Sequence, residues 1–82
     1  MDPSEVSKLI EAGIPDATVR VASADNTHFE ALVVSETFAG KRPLARHQVV
    51  YACLGNLVGN EIHALSITAL TPAEVQERNG AT

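Results

Sequence analysis

A helix between two strand-like runs restricts the fold of this chain more than any other pattern. HFEALVVS (28–35) and EIHALSIT (61–68) are short and apolar. The stretch between them opens a helix at Pro43 and carries Leu44, His47, Val50, Tyr51, Leu54, Leu57 and Val58 along one stripe as far as residue 58. Two strands joined through a helix cannot form a hairpin. If they are neighbours they lie parallel, linked by a crossover.

The rest of the chain completes a small α+β layout. Asp2 is placed to cap a helix over 3–12, with Pro3 at its first position, Glu5 completing a capping box and Val6, Leu9 and Ile10 as its apolar stripe. Gly13 is expected to end it in a left-handed turn. After Pro15, Ala17, Val19 and Val21 alternate with polar residues as a strand, and Ala24-Asp25-Asn26-Thr27 is turn chemistry leading into the second strand, whose apolar residues fall on both faces. Ser35 is placed to cap a helical turn, ETFA, closed by Gly40. Gly59-Asn60 stops the long helix, and Thr71-Pro72-Ala73-Glu74 starts a last helix ending near Gly80. The order α-β-β-α-α-β-α predicts a two-layer domain: a three-stranded mixed sheet, second and third strands parallel, with helices on one face. One domain over 1–82, with its core about 3–78, is expected.

Composition narrows the partners. Ten acidic against six basic residues give a net charge of −4, which argues against a protein that simply coats nucleic acid. Yet Lys41, Arg42 and Arg46 are half of the basic residues, gathered in one stretch. The lone cysteine, Cys53, excludes an internal disulfide, fits a reducing compartment and reads as a buried, inert thiol beside the helix stripe. The N-terminus lacks the basic and apolar regions of a secretory signal, and no apolar run approaches the roughly 20 residues of a membrane span. A soluble cytoplasmic protein with no membrane association is expected.

Three histidines carry the chemistry. His63 stands inside an apolar run, so its imidazole must find a hydrogen-bond partner, a metal or an exit to solvent. Parallel strands start at the same end of a sheet, about 4.8 Å apart, so His28 and His63 are expected to approach each other at one edge. Taken alone, a histidine in a strand such as His63 is more often a packed, hydrogen-bonded residue than a ligand, and His28 beside a turn is more often solvent-exposed. His47, beside Arg46, fits a helix-surface residue. Two histidines fall short of the ligand set for either structural or catalytic zinc, so a metal centre here would need another molecule to complete it. Glu30 and Glu61 flank the histidines, but no nucleophile, base and orienting carboxylate are set together, and no enzyme activity is expected.

At this point the residues carry a resemblance. HFEALVVSETFAGKRPLARHQVVYACL, followed by EIHALSI and TPAE, resembles the BolA-like proteins over about residues 16–76. The joint order of VVS, F-x-G-K, R-H-x-x-V-Y, I-H-A-L and T-P-x-E carries the likeness, since no one piece is diagnostic. T-H-F at 27–29 resembles the histidine-bearing branch, and the first helix with RHQVVY looks most like the bacterial IbaG or YrbA branch. The resemblance implies a fold similar to the class II KH domain. It also implies pairing with a monothiol glutaredoxin and glutathione around a shared 2Fe-2S cluster, in iron–sulfur trafficking or in iron, redox and stress regulation. His63 maps onto the family's cluster ligand and His28 onto the proposed second ligand. The free protein is then expected to be monomeric or weakly dimeric and to hold no cofactor alone. Val75 departs from the family, which usually carries tryptophan there.

A second reading is a nucleic-acid-binding transcriptional regulator. Lys41, Arg42, Arg46 and His47 would meet phosphates at the start of the long helix, or dock an acidic partner. Against it, Gly40-Lys41-Arg42-Pro43 lacks the second glycine of the G-x-x-G clamp of KH domains.

Overall fold

The structure, a computed structural model, describes residues 1–80, so the last two residues of the expected 1–82 domain lie outside it. Helix α1 (Pro3–Gly13) leads to strands β1 (Thr18–Ala22) and β2 (His28–Val34). A 3-10 turn (Glu36–Phe38), helix α2 (Pro43–Leu54), a second 3-10 turn (Gly55–Leu57), strand β3 (Ala64–Leu70) and helix α3 (Pro72–Gly80) follow. β2 is central. It pairs antiparallel with β1 and parallel with β3, in the register His28↔Ala64 to Val34↔Leu70. The expected three-stranded mixed sheet is therefore the one observed.

Local chemistry sets the element ends. The Asp2 side chain accepts from the Glu5 amide at 3.1 Å while Glu5 accepts from the Asp2 amide, so two orphan donors of α1 are satisfied together. Thr71 and Glu74 repeat the arrangement at α3, at 2.8 and 3.2 Å. Ser35 is fully buried. Its hydroxyl accepts from the Thr37 amide and donates to Asp16, tying the turn after β2 to the loop before β1.

Phe29, Ala31 and Val33 of β2 point inward against Val6, Ile10 and Ile14 of the α1 region and Val50 and Leu54 of α2, with Phe38 and Ile62 closing the ends. Each of these side chains larger than alanine contributes about 1.5–3 kcal/mol by leaving water, which is how a thin core holds so short a chain. The opposite face of the sheet is open. There His28 and Glu30 are exposed and Leu32 and Val34 only half-covered, so β2 is not buried on both sides as its composition suggested.

Four further expectations change. The long helix stops at Leu54 rather than 58, because Gly55 adopts φ 57°, the left-handed region that glycine enters without strain. β3 begins at Ala64, so His63 precedes the strand. Gly13 belongs to α1 and makes no left-handed turn; a Cβ there would lie 2.5 Å from Cys53 Sγ, so it lets α1 and α2 approach closely. Finally, the α2 stripe is turned: Leu44 is 71% and Tyr51 40% exposed, and Val50 and Leu54 are the buried positions.

Candidate metal half-site

The parallel pairing of β2 with β3 builds this edge. His28 opens β2, and the chain enters β3 beside it, held by Thr27: its carbonyl accepts from the amides of His63 at 2.8 Å and Ala64 at 3.2 Å. The side chain of the preceding Ile62 is fully buried, and alternation turns His63 outward. The two rings meet edge to face, centroids 5.2 Å apart and planes at 74°. His63 is exposed, which overturns the packed-core alternative. It had looked enclosed because Ile62, Ala64 and Leu65 surround it in sequence.

His28 is held from behind. Its Nδ1 lies 2.7 Å from Asp25 Oδ2, and Asp25 Oδ1 accepts the amides of Thr27 at 3.0 Å and His28 at 2.9 Å. These bonds, the His28 amide first, hold the Asp25 carboxyl far below the usual carboxylate range. An ionised carboxylate only accepts, so in the neutral form of the ring Nδ1 carries the proton and Nε2 keeps the lone pair. The turn that aims Asp25 needs Asn26 at φ 60°, which asparagine tolerates. Asp25 is the residue that sequence reasoning missed. In the sequence it shows as turn chemistry, and its place three residues before His28 is the signal that it can reach that ring.

A carboxylate behind an imidazole is the common support of a metal-binding histidine. Neutral imidazole nitrogens suit iron, copper or zinc, and both histidines are exposed. Among the described residues no three of His, Cys, Asp and Glu gather to hold a metal ion. Glu30 and Glu61 are exposed without completing such a set. The donor set therefore fits half of a coordination shell. Cys53 is not part of it: it is half-buried in α2, and burial pushes its thiol pKa up, away from the reactive thiolate.

The basic stretch lies elsewhere. Arg46 bonds the Ala69 carbonyl at 3.0 Å, at the far end of β3, about 20 Å along the sheet from the histidine edge. Its other donors go to the Lys41 carbonyl and to both carboxylate oxygens of Glu74, at 2.6 and 3.2 Å. Arg46 is thus withdrawn from the expected phosphate-contact or partner-docking set. Lys41 and Arg42 are exposed, and His47 shares an outward face of α2 with Leu44 and Tyr51.

The family model described as BolA-like protein matches residues 10–74. The chain belongs to the BolA-like family. This BolA-like chain is 46% identical over 59 residues, 72% of its length, to the DNA-binding transcriptional regulator BolA of Vibrio cholerae. It is 36% identical over 75 residues to the acid stress protein IbaG of Escherichia coli, covering 90% of this chain and 88% of that protein. The solved structure of a BolA homologue from Coxiella burnetii superposes with a TM-score of 0.82 at 38% identity, covering 93% of this chain and 97% of the other. The chain spans about half the length of several curated relatives it matches, 56% in the Vibrio case. No described helix of this BolA-like chain is long and apolar enough to cross a membrane.

Proposed function

We propose that this chain is a non-catalytic adaptor that docks against a monothiol glutaredoxin carrying glutathione and co-ligates its 2Fe-2S cluster through His63 and His28. The observation that carries this is the pair of exposed imidazoles, 5.2 Å apart, where no group of three His, Cys, Asp or Glu side chains forms among the described residues. The cluster is cargo shared between two proteins. His63 and His28 would each offer a neutral nitrogen, and exchanging thiolate for imidazole would raise the cluster's reduction potential. Asp25 keeps the His28 donor nitrogen free and aimed. Iron–sulfur trafficking and regulation of iron, redox or stress responses in the cytoplasm are the setting we propose, and the acid-stress name of the Escherichia coli relative agrees with the last of these. The free chain would hold no cluster and would be a monomer or weak dimer.

The test mixes the chain with cluster-loaded monothiol glutaredoxin and follows visible circular dichroism alongside size exclusion. A heterodimer with a spectrum distinct from that of the glutaredoxin homodimer is expected, and His63→Ala should remove that distinct spectrum. An unchanged spectrum in the variant would dismiss His63 as a ligand.

A second reading rests on the printed function of the Vibrio relative and on exposed Lys41 and Arg42 at the start of α2. Under it the chain regulates transcription by contacting DNA phosphates there, without Arg46. Replacing Lys41 and Arg42 should then lower DNA retention and flatten its salt dependence. Retention unaltered by both changes would end this reading.

A further inference from the structure

The open face of the sheet holds a second concave surface, at the end away from the histidines. Leu32 and Val34 of β2 and Leu70 of β3 form an apolar floor, and Val75 from the first turn of α3 forms one wall. The groove encloses about 360 Å³, at the small end of the range for ligand pockets. Two of the chain's six basic residues stand at it. Arg20 projects from β1 beside Leu32, its cross-strand partner, and Arg78 lies one helical turn after Val75 on the same face of α3. Among the described residues neither guanidinium has an ion pair or hydrogen bond, whereas Arg46 is engaged on all sides. Thr18 adds a hydroxyl to the rim.

An apolar floor with two guanidiniums at its rim, neither paired among the described residues, is complementary to an apolar body that ends in an anion. We propose that this groove binds a small carboxylate with an aromatic or branched aliphatic body. The body lies on Leu32, Val34 and Leu70, and the carboxylate bonds Arg20 and Arg78. Guanidinium matches carboxylate through paired N–H donors, so the acid is distinguished from a neutral analogue of equal shape. Val75 sets the space. A larger side chain there would occupy the groove itself.

The probe is 3-phenylpropionate, with 3-phenylpropionamide as its uncharged control, titrated into the isotope-labelled chain and followed by amide and methyl NMR shifts. Saturable shifts confined to Leu32, Val34, Leu70 and Val75 are expected, with the amide binding about tenfold more weakly or worse. Arg20→Gln and Arg78→Gln should each weaken the acid and leave the amide unaffected, and Val75→Trp should abolish binding by both while the chain stays folded. Equal binding of acid and amide, shifts centred elsewhere, or unimpaired binding by Val75→Trp would overturn the proposal. Shifts at the same residues on raising protein concentration alone would overturn it too, assigning the groove to a second copy of the chain.

Discussion

His28 reaches the sheet edge with one ring nitrogen already bonded, and that contact decides what the other can do. Asp25 accepts from Nδ1 and also holds the turn by accepting two amides. Asp25→Asn separates these tasks. The amide side chain keeps an oxygen for the turn but offers N–H where a carboxylate oxygen had faced Nδ1. The neutral ring then places its proton on Nε2 and loses the free lone pair there. Imidazole nitrogen shifts of the neutral ring should show His28 changing tautomer while His63 stays as it was. In the glutaredoxin complex the same change should weaken co-ligation by about 10–100-fold, the usual cost of losing a metal ligand's outer partner. An unaltered tautomer would mean that Asp25 does not set the ring. The two histidines were legible in the sequence because parallel pairing alone aligns the starts of β2 and β3. The nitrogen presented was not, since it depends on how a turn with a left-handed asparagine aims one carboxylate.

The helices show where sequence patterning runs out. α2 is apolar around most of its circumference, through Val49, Val50, Tyr51, Ala52, Cys53 and Leu54, so its periodicity fits more than one rotation. Its rotation brings Cys53 against Gly13, a close approach that no repeat spacing encodes. The same rotation places Arg46 one turn before Val50 on the inward side, where it meets Glu74 instead of solvent. Capping boxes, by contrast, are local, and those of α1 and α3 could be read directly. The Arg46–Glu74 pair ties α3 to α2, and it depends on pH. Hydrogen bonding from Arg46 lowers the Glu74 carboxyl from its ordinary 4.5 to about 2. Because the folded value is the lower one, ionisation favours folding. The contribution is whole above 4.5 and is lost as pH falls through about 2. Urea midpoints of the wild type and Glu74→Gln should therefore differ by a constant amount from neutral pH down to 4.5. They should then converge as pH approaches 2. A gap that persists into acid would show that the charge is not what fastens α3.

Seen whole, the molecule places its chemistry outside its core. The sheet carries packed helices on one face, the histidines at one end, Lys41 and Arg42 at the other, and the Leu32–Leu70 groove on the open face. No described residue of these three surfaces belongs to the fully buried set. The histidine edge and the basic loop share no residue, so each can be substituted without altering the other. Stability and recognition should separate for the same reason. Replacing both His28 and His63 by alanine removes exposed rings and should shift the unfolding free energy by no more than about 1 kcal/mol. Phe38→Ala empties the largest fully buried site and should cost about 3–5 kcal/mol, a large part of the roughly 5–15 kcal/mol that holds such a domain together. Chemical denaturation of both variants beside glutaredoxin titrations supplies the comparison. The double-histidine chain should melt like the wild type and fail to alter the cluster spectrum. Phe38→Ala should melt early and, under conditions where it remains folded, still alter that spectrum. A double-histidine variant that unfolds as readily as Phe38→Ala would place those rings among the groups that hold the fold, and the edge would lose its standing as a free half-shell.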